Sequence, residues 1–234
     1  MWLLDLKTVP DPGAAKRLLA LEAFSDAEAV LAMTTLRVAR QQAPAQPPQL
    51  RRVVAAVLLR AGPEGVELVE FDDADGEAAL LRGLETELAR TEGPVWAWDA
   101  AQHYRSQLLA RALAGGLALP RLLAERGPRS LAAHFGFAAG TAFLAELAAV
   151  HGLPHGLGLR AAEVETAYAA GDRERLRAGG GADALIAYLL ALALWQATGE
   201  RGPAEVAEQR SRVRGWLAAQ AAPHWRAFAR GWSA

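Results

Sequence analysis

The sequence predicts an α/β fold, in which a mixed sheet is flanked by helices and the C-terminal half is rich in helix. Three observations support this prediction. Short apolar segments bounded by turn residues lie in the first hundred residues. Segments with helical spacing separate them, and similar segments then fill the rest of the chain. This order is typical of one α/β domain with a mixed sheet of three or four strands.

The predicted strands are short and apolar, and they cover residues 2–6, 53–60, 66–71 and 95–98. A turn with the sequence Gly-Pro-Glu-Gly separates the second strand from the third, so these two predict a hairpin beside the first strand. Asp5 lies near the end of the first predicted strand, and Asp99 directly follows the last one.

The predicted helices are bounded by Gly, Pro and capping residues, and they cover 14–24, 26–42, 75–91, 103–114, 130–136, 142–151, 161–170, 182–197 and 203–220. Ser25 is the predicted N-cap of the second helix. The run Gly179–Gly181 indicates a flexible break just before the most apolar helix, 182–197.

Composition excludes several classes of protein. The 234 residues carry a formal net charge of −1, so no global field draws the protein to nucleic acid or anionic lipid. The chain has no cysteine, which excludes disulfides, thiolate metal sites and cysteine nucleophiles. No apolar run approaches the roughly 20 residues of a membrane span, and Asp5 comes too early for a signal peptide. We therefore expect a cytoplasmic protein without a membrane partner.

Three aspartates stand where chemistry is expected. Asp5 and Asp99 lie at strand ends, the edge at which α/β sheets bind ligands. Asp183 lies near the start of an apolar helix, where a carboxylate must be paired, exposed or functional. The alternative is that the strand-end aspartates are ordinary turn or cap residues.

Short motifs around these aspartates occur in a definite order: Asp5–Asp11, Trp98–Ala100, Arg111–Leu113, Leu144–Leu147, Gly152–Pro154, and Asp183 with Tyr188. Their order and spacing resemble the DEDD-type 3′–5′ exonucleases, in the branch described as predicted exonucleases related to the proofreading domain of family B DNA polymerases. The resemblance implies a ribonuclease-H-like fold. It divides the chain into an exonuclease-like α/β domain over 1–200 and a C-terminal helical extension, 201–234, packed on it.

The departures from the family pattern bear on catalysis. The family holds two divalent metals with four carboxylates, and the metals activate water and stabilise the leaving oxygen. At the positions that the resemblance aligns, Asp5 and Asp183 remain, but the other two are Lys7 and Tyr104. The residue that orients the attacking water falls on Gly179, which has no side chain. The resemblance thus implies a degenerate site, for which we expect no cofactor.

Lys7 follows Asp5 by two residues, so on a strand both side chains point to the same face. We hypothesise that its ammonium takes the vacated metal position and pairs with Asp5 and Asp183. The alternative is that Lys7 extends into solvent.

Two other routes to catalysis stay open at this point. Asp5 and Asp183 are the metal ligands if the protein is an active exonuclease with an atypical, one-metal site that uses Mg²⁺ or Mn²⁺. Asp99 and His103 flank the lost second carboxylate and could rebuild a site in a shifted register. His151 and His155 have helical spacing, but Pro154 between them favours a structural loop.

The C-terminal stretch mixes cations with aromatic residues, as single-strand binders do, and Arg212, Arg214 and Trp216 are its candidate nucleic-acid contacts. Further arginines cluster elsewhere, among them Arg129. The alternative is a solvated helix whose tryptophans pack on the body of the protein.

The leading interpretation is a catalytically degenerate exonuclease homologue, a pseudo-enzyme that binds single-stranded nucleic acid or acts as a scaffold. An active metal-dependent 3′–5′ exonuclease is the alternative. A third interpretation is a protein-binding module, with a protein partner or a homodimer whose face is formed by helices 142–151 and 182–197.

Overall fold

In the computed structural model, the described residues are 1–43, 46–62, 65–91, 93–98, 104–124, 127–136 and 144–232. Its strands are β1 (Trp2–Pro10), β2 (Arg51–Gly62), β3 (Gly65–Asp72), β4 (Val95–Ala97) and β5 (Arg129–Ser130). They form one five-stranded sheet in the order β3-β2-β1-β4-β5. The predicted mixed α/β sheet is confirmed, although it has one strand more than the largest number expected.

The sheet is antiparallel on one side of β1 and parallel on the other. β1 pairs antiparallel with β2, and β2 with β3, which confirms the predicted hairpin. β4 pairs parallel with β1, and β5 parallel with β4. β5 lies at the start of the segment predicted as helix 130–136; it is only two residues long, too short to produce a strand pattern in the sequence.

The helices cover most of the remaining described chain. They are α1 (Pro12–Leu19), α2 (Asp26–Ala39), α3 (Glu77–Ala89), α4 (Arg105–Gly115), α5 (Pro120–Leu123), α6 (Leu131–His134), α7 (Leu144–Val150), α8 (Ala161–Ala169), α9 (Arg173–Ala197), α10 (Pro203–Ala219) and α11 (Pro223–Gly231), with a short 3₁₀ turn at Pro48–Leu50. Ser25 caps α2 as predicted, because its hydroxyl accepts from the Glu28 N–H while the Glu28 carboxylate accepts from the Ser25 N–H.

Alternation along β1 divides the core between the two faces of the sheet. Leu4 and Leu6 pack against α3, α4 and α5 on one face. Leu3 packs on the opposite face in a cluster that contains α9, α10 and α11. Asp5 and Lys7 share the face of Leu3, so they point towards α9 and not towards α3.

The long helix α9 corrects one prediction. It runs from Arg173 to Ala197 without interruption, so Gly179–Gly181 is not a flexible break. All three glycines are buried, and a Cβ on any of them would meet a neighbouring side chain at 3.0 Å or less. They keep this helix face flat enough for close packing, a role that outweighs their low helix propensity.

The same helix was also expected to form part of a dimer face. Most residues of segment 182–197 are buried, because the segment packs on the sheet and beneath the C-terminal helices. The homodimer stays a prediction. The length and hydropathy of α9 would suit a membrane span. However, 78% of its apolar 18-residue stretch is buried inside the protein, as in the core helix of a folded domain.

Helices α10 and α11 complete the core on the α9 face. Val206, Val213, Leu217, Trp225 and Phe228 are buried in the cluster that holds Leu3 and α9. Residues 201–232 therefore pack on the sheet domain, whereas the boundary at residue 200 stays a prediction.

Candidate functional site

The strand β1 places Asp5 and Lys7 side by side. The two residues are one pleat apart, on the face that α9 covers. The register with β2 shifts between Lys7 and Thr8, where Ala55 and Val53 are their partners, so β2 carries one extra residue. A bulge of this kind increases the local twist and re-aims the side chains beside it.

The helix α9 brings Asp183 to the same place. It contacts both β1 and β2, and the approach is close at Gly180, where a Cβ would stand 2.9 Å from Val57 Cγ2 and 3.1 Å from Asp5 Oδ2. The loop before α8 closes over Asp183, since a Cβ on Gly158 would stand only 1.9 Å from Asp183 Oδ1. Glycines at 158 and 180 thus leave the space that the two carboxylates occupy.

Lys7 links the two aspartates. Its Nζ lies 2.5 Å from Asp183 Oδ2, to which it donates a hydrogen bond, and 3.0 Å from Asp5 Oδ2. The Lys7 side chain is 7% exposed, against 14% for Asp5 and 18% for Asp183. The ion pairs proposed from the sequence are present, and the alternative in which Lys7 extends into solvent is wrong.

Tyr104 completes the cluster from the start of α4. β4 pairs with β1 only at Trp2 and Leu3, so the edge of β1 beyond that point is open. The Tyr104 hydroxyl accepts a hydrogen bond from the Leu6 N–H at 3.2 Å and donates a long one, 3.5 Å, to Asp5 Oδ1. The residue at the second-motif position therefore binds both the strand edge and the first aspartate.

Burial and charge shift the pKa values in this cluster. Burial raises the pKa of Asp5 to about 6, against the opposing charge of Lys7. Burial alone would lower the pKa of Lys7, but the charges of Asp183 and Asp5 outweigh it and raise that pKa well above its usual range. Burial likewise raises the pKa of Tyr104. At neutral pH the cluster is a lysine cation held between two carboxylates, with a neutral tyrosine beside them.

This donor set does not fit a divalent metal pair. Both remaining carboxylates already bind an ammonium group, and a cation at the same position would face its direct repulsion. Within the described ranges, no group of three or more His, Cys, Asp or Glu side chains is arranged to hold a metal. A hard divalent cation needs several oxygen ligands, and here two acids share one lysine.

Of the other predicted catalytic positions, those that the structure describes add no functional group to the cluster. Gly179 packs against Leu159, whose Cγ would stand 2.6 Å from a Cβ at that position. Asp99 and His103 lie outside the described residues. His151 and His155 are both exposed and are separated by the turn that follows α7, as the structural-loop interpretation predicts.

The candidate nucleic-acid contacts of the C-terminal stretch all have intramolecular partners. Arg212 donates to Glu208 Oε1 at 2.6 Å and to the Gly62 carbonyl at 3.2 Å. The Arg214 guanidinium lies over the Trp232 ring, 4.8 Å from its centroid. Trp216 packs edge-on against Trp225 at 4.9 Å between ring centroids. These contacts match the packed-helix alternative, and the binding role stays a prediction.

Two features were missed by the sequence analysis. Arg111 bridges Asp11 and Glu77 in a second buried ion cluster, described below. Arg105 and Arg129 line a groove next to Tyr104. Arg105 follows Tyr104 directly in the sequence, which was a usable signal, whereas Arg129 was noted only as a member of one of several arginine clusters.

The sheet order, the helices on both faces, and a pair of aspartates from β1 and α9 form an α/β domain that is consistent with a ribonuclease-H-like exonuclease fold. Comparison with known families agrees. Residues 128–232 match the family described as predicted 3′–5′ exonuclease related to the exonuclease domain of PolB, which confirms the resemblance inferred from the motifs. The matched range contains Asp183, whereas Asp5, Lys7 and Tyr104 precede it. No curated protein matches the chain.

Proposed function

We propose that this exonuclease-like domain is catalytically degenerate, and that it binds single-stranded nucleic acid without cutting it. The observation that carries the proposal is the ammonium of Lys7, which lies between Asp5 and Asp183 at hydrogen-bonding and ion-pairing distances. Two-metal cleavage requires carboxylates free to coordinate cations on both sides of the scissile bond. In this site they are bound to a side chain that cannot activate water.

Tyr104 supports the same conclusion. Its position is a carboxylate in the family that the motifs resemble, and here it supplies a neutral hydroxyl whose hydrogen bonds are used on the Leu6 N–H and on Asp5. At the four aligned positions, one net negative charge replaces four. That charge cannot neutralise two divalent metals.

The test is an incubation of the purified protein with end-labelled single-stranded DNA and RNA, in the presence of Mg²⁺ or Mn²⁺, beside an Asp5→Asn control. We expect no shortening that depends on Asp5. Stepwise shortening from the 3′ end by the wild type but not by the control would overturn the proposal, and would favour the alternative of an active one-metal exonuclease.

A restored variant makes the negative result informative. Lys7→Glu combined with Tyr104→Asp returns both carboxylates, so this protein should bind Mn²⁺ in a calorimetric titration while the wild type does not. Circular dichroism, recorded with and without Mn²⁺, establishes that both proteins are folded. Equal Mn²⁺ binding by the wild type would show that Lys7 does not block the site.

A further inference from the structure

A groove opens beside Tyr104. It encloses about 380 Å³ and is lined by Tyr104 and Arg105 from the start of α4 and by Pro128, Arg129, Ser130 and His134 from the segment around β5. No carboxylate from the described part of the chain lines it. Tyr104 links the groove to the Lys7 cluster, because its hydroxyl also donates to Asp5.

The two arginines of this groove differ from Arg51, Arg52 and Arg177, which are each paired with a carboxylate. Within the described ranges, neither Arg105 nor Arg129 makes such a pair. Two guanidinium groups without a carboxylate produce a local positive potential, even though the whole chain is nearly neutral.

Trp96 holds two of the polar groups in place. The Arg129 guanidinium lies over its ring, 5.6 Å from the centroid, and the His134 ring packs edge-on against it at 4.8 Å. His134 Nδ1 is 3.1 Å from the Ser130 carbonyl oxygen, which fixes the ring further. An anion in this groove would therefore meet donors that are already ordered, a condition that favours binding.

We propose that this groove, through Arg105 and Arg129, binds the phosphate backbone of a single nucleic-acid strand and directs it towards Tyr104. The assignment rests on the proposed function, and it places the strand in this groove instead of on the C-terminal stretch. Guanidinium groups suit phosphate because their N–H donors form a planar fork. In the C-terminal stretch, by contrast, Arg212 is already paired with Glu208.

The test is the salt dependence of binding, measured by fluorescence anisotropy with a labelled single strand of mixed sequence. The variant Arg105→Gln/Arg129→Gln should bind more weakly. Because each phosphate contact on a single strand contributes about 0.7 to the slope of log affinity against log salt, the slope should become shallower by about 1.4. Arg105→Lys/Arg129→Lys keeps both charges and should retain most of the wild-type slope.

The matched control is Arg212→Gln/Arg214→Gln, which removes the same charge from the C-terminal stretch and should leave the slope unchanged. Thermal unfolding of every variant establishes that it is folded. If the groove double variant does not fold, the single variants Arg105→Gln and Arg129→Gln are measured in its place. If the wild type binds the strand and Arg105→Gln/Arg129→Gln shows the same salt slope, the groove assignment is overturned but the proposed binding function is not. Absence of wild-type binding would overturn the proposed binding function, and the groove assignment with it.

Competition identifies the source of the phosphate. Unlabelled single strands should displace the probe much better than a mononucleotide or inorganic phosphate does, because a strand makes several contacts at once. Equal displacement by a mononucleotide or by inorganic phosphate would assign the groove to a small phosphorylated ligand, and would overturn the assignment to a strand.

Discussion

Two buried clusters, at the middle and the end of β1, each hold one cation between two carboxylates. Lys7 lies between Asp5 and Asp183, and Arg111 of α4 lies between Asp11 and Glu77. In both, the acids come from elements far apart in sequence. The clusters differ in how completely their polar atoms are hydrogen-bonded.

The Arg111 cluster is saturated with hydrogen bonds. Arg111 Nε donates to both carboxylate oxygens of Glu77 at 2.8 and 2.9 Å, and Nη1 donates to Asp11 at 2.6 Å. Glu77 also accepts from the Val53 N–H, and Asp11 accepts from the Ala14 N–H as the N-cap of α1. A buried ion group that is bonded in this way maintains one arrangement of the elements it joins.

The Lys7 cluster is not saturated. Asp5 Oδ2 is buried and faces the ammonium at 3.0 Å, but among the described residues no donor reaches it with good hydrogen-bond geometry, and the Tyr104 contact to Oδ1 is long. The pKa values reflect this difference. Burial raises the pKa of Asp5, whereas at Asp11 the opposing bonds from Ala14 and Arg111 outweigh burial and lower the pKa. The two clusters therefore differ in how firmly hydrogen bonds hold their carboxylates, and the Arg111 cluster is the more firmly held.

The largest expected effect is the loss of Arg111. Arg111→Met keeps the bulk but leaves Asp11 and Glu77 buried without their cation, so the free energy of unfolding should fall by about 4 kcal/mol. Urea unfolding at neutral pH measures it. Arg160→Met removes only an exposed pair with Glu163, and it should leave the unfolding midpoint where it is. A similar midpoint for both variants would contradict the structural role of Arg111.

Loss of Lys7 should lower the free energy of unfolding by less than loss of Arg111 does. Lys7→Met leaves two carboxylates facing each other, which should lower the free energy of unfolding by about 3 kcal/mol at pH 7. The cost should shrink as the pH falls, since a proton on Asp5 can relieve the repulsion. Unfolding titrations at pH 7 and pH 5 test this expectation. A cost that is constant with pH would mean that the aspartates do not sense Lys7.

The titration of Asp5 should change the free energy of unfolding by a similar amount. Its folded pKa, about 6, exceeds the ordinary value of 3.8, so the folded state binds a proton more tightly than the unfolded state. Stability should therefore fall as the pH rises from about 4 to about 6, by about 3 kcal/mol, and show no further change from this group at higher pH. Asp5→Asn should lack this decline. Parallel declines in both proteins would place the titration on another group.

The sequence predicted the Lys7 cluster better than the Arg111 cluster, for a physical reason. Asp5 and Lys7 are two residues apart on one strand, so the pleat alone places them on one face. Asp11, Glu77 and Arg111 share no period, and only the docking of α3 and α4 on the sheet brings them together. Asp11 precedes a proline at a helix start, which is a local capping signal, but this signal does not reveal its partner Arg111.

The fold shows the same division between local and long-range signals. The β2–β3 hairpin and the Ser25 cap were predictable because turn and cap residues act on their neighbours. Gly179–Gly181 was misinterpreted because glycine indicates a break only in the absence of packing. Here the neighbours Leu159, Val57 and Trp225 supply the packing, and no local pattern in the sequence reveals them.

The smallest expected change in the free energy of unfolding concerns the glycines Gly179–Gly181 of α9. The Lys7 cluster depends on their close packing, whereas the Arg111 cluster does not. Gly180→Ala adds a methyl group 2.9 Å from buried Val57 and 3.1 Å from Asp5 Oδ2. Overpacking should outweigh the gain in helix propensity and lower the free energy of unfolding by about 1 kcal/mol. Gly215→Ala, on the exposed face of α10, meets nothing within 4 Å, and should instead stabilise the protein by about 0.5–1 kcal/mol. Thermal unfolding of the two variants should thus shift in opposite directions. Stabilisation by both would mean that α9 does not approach β1 closely enough to shape the site.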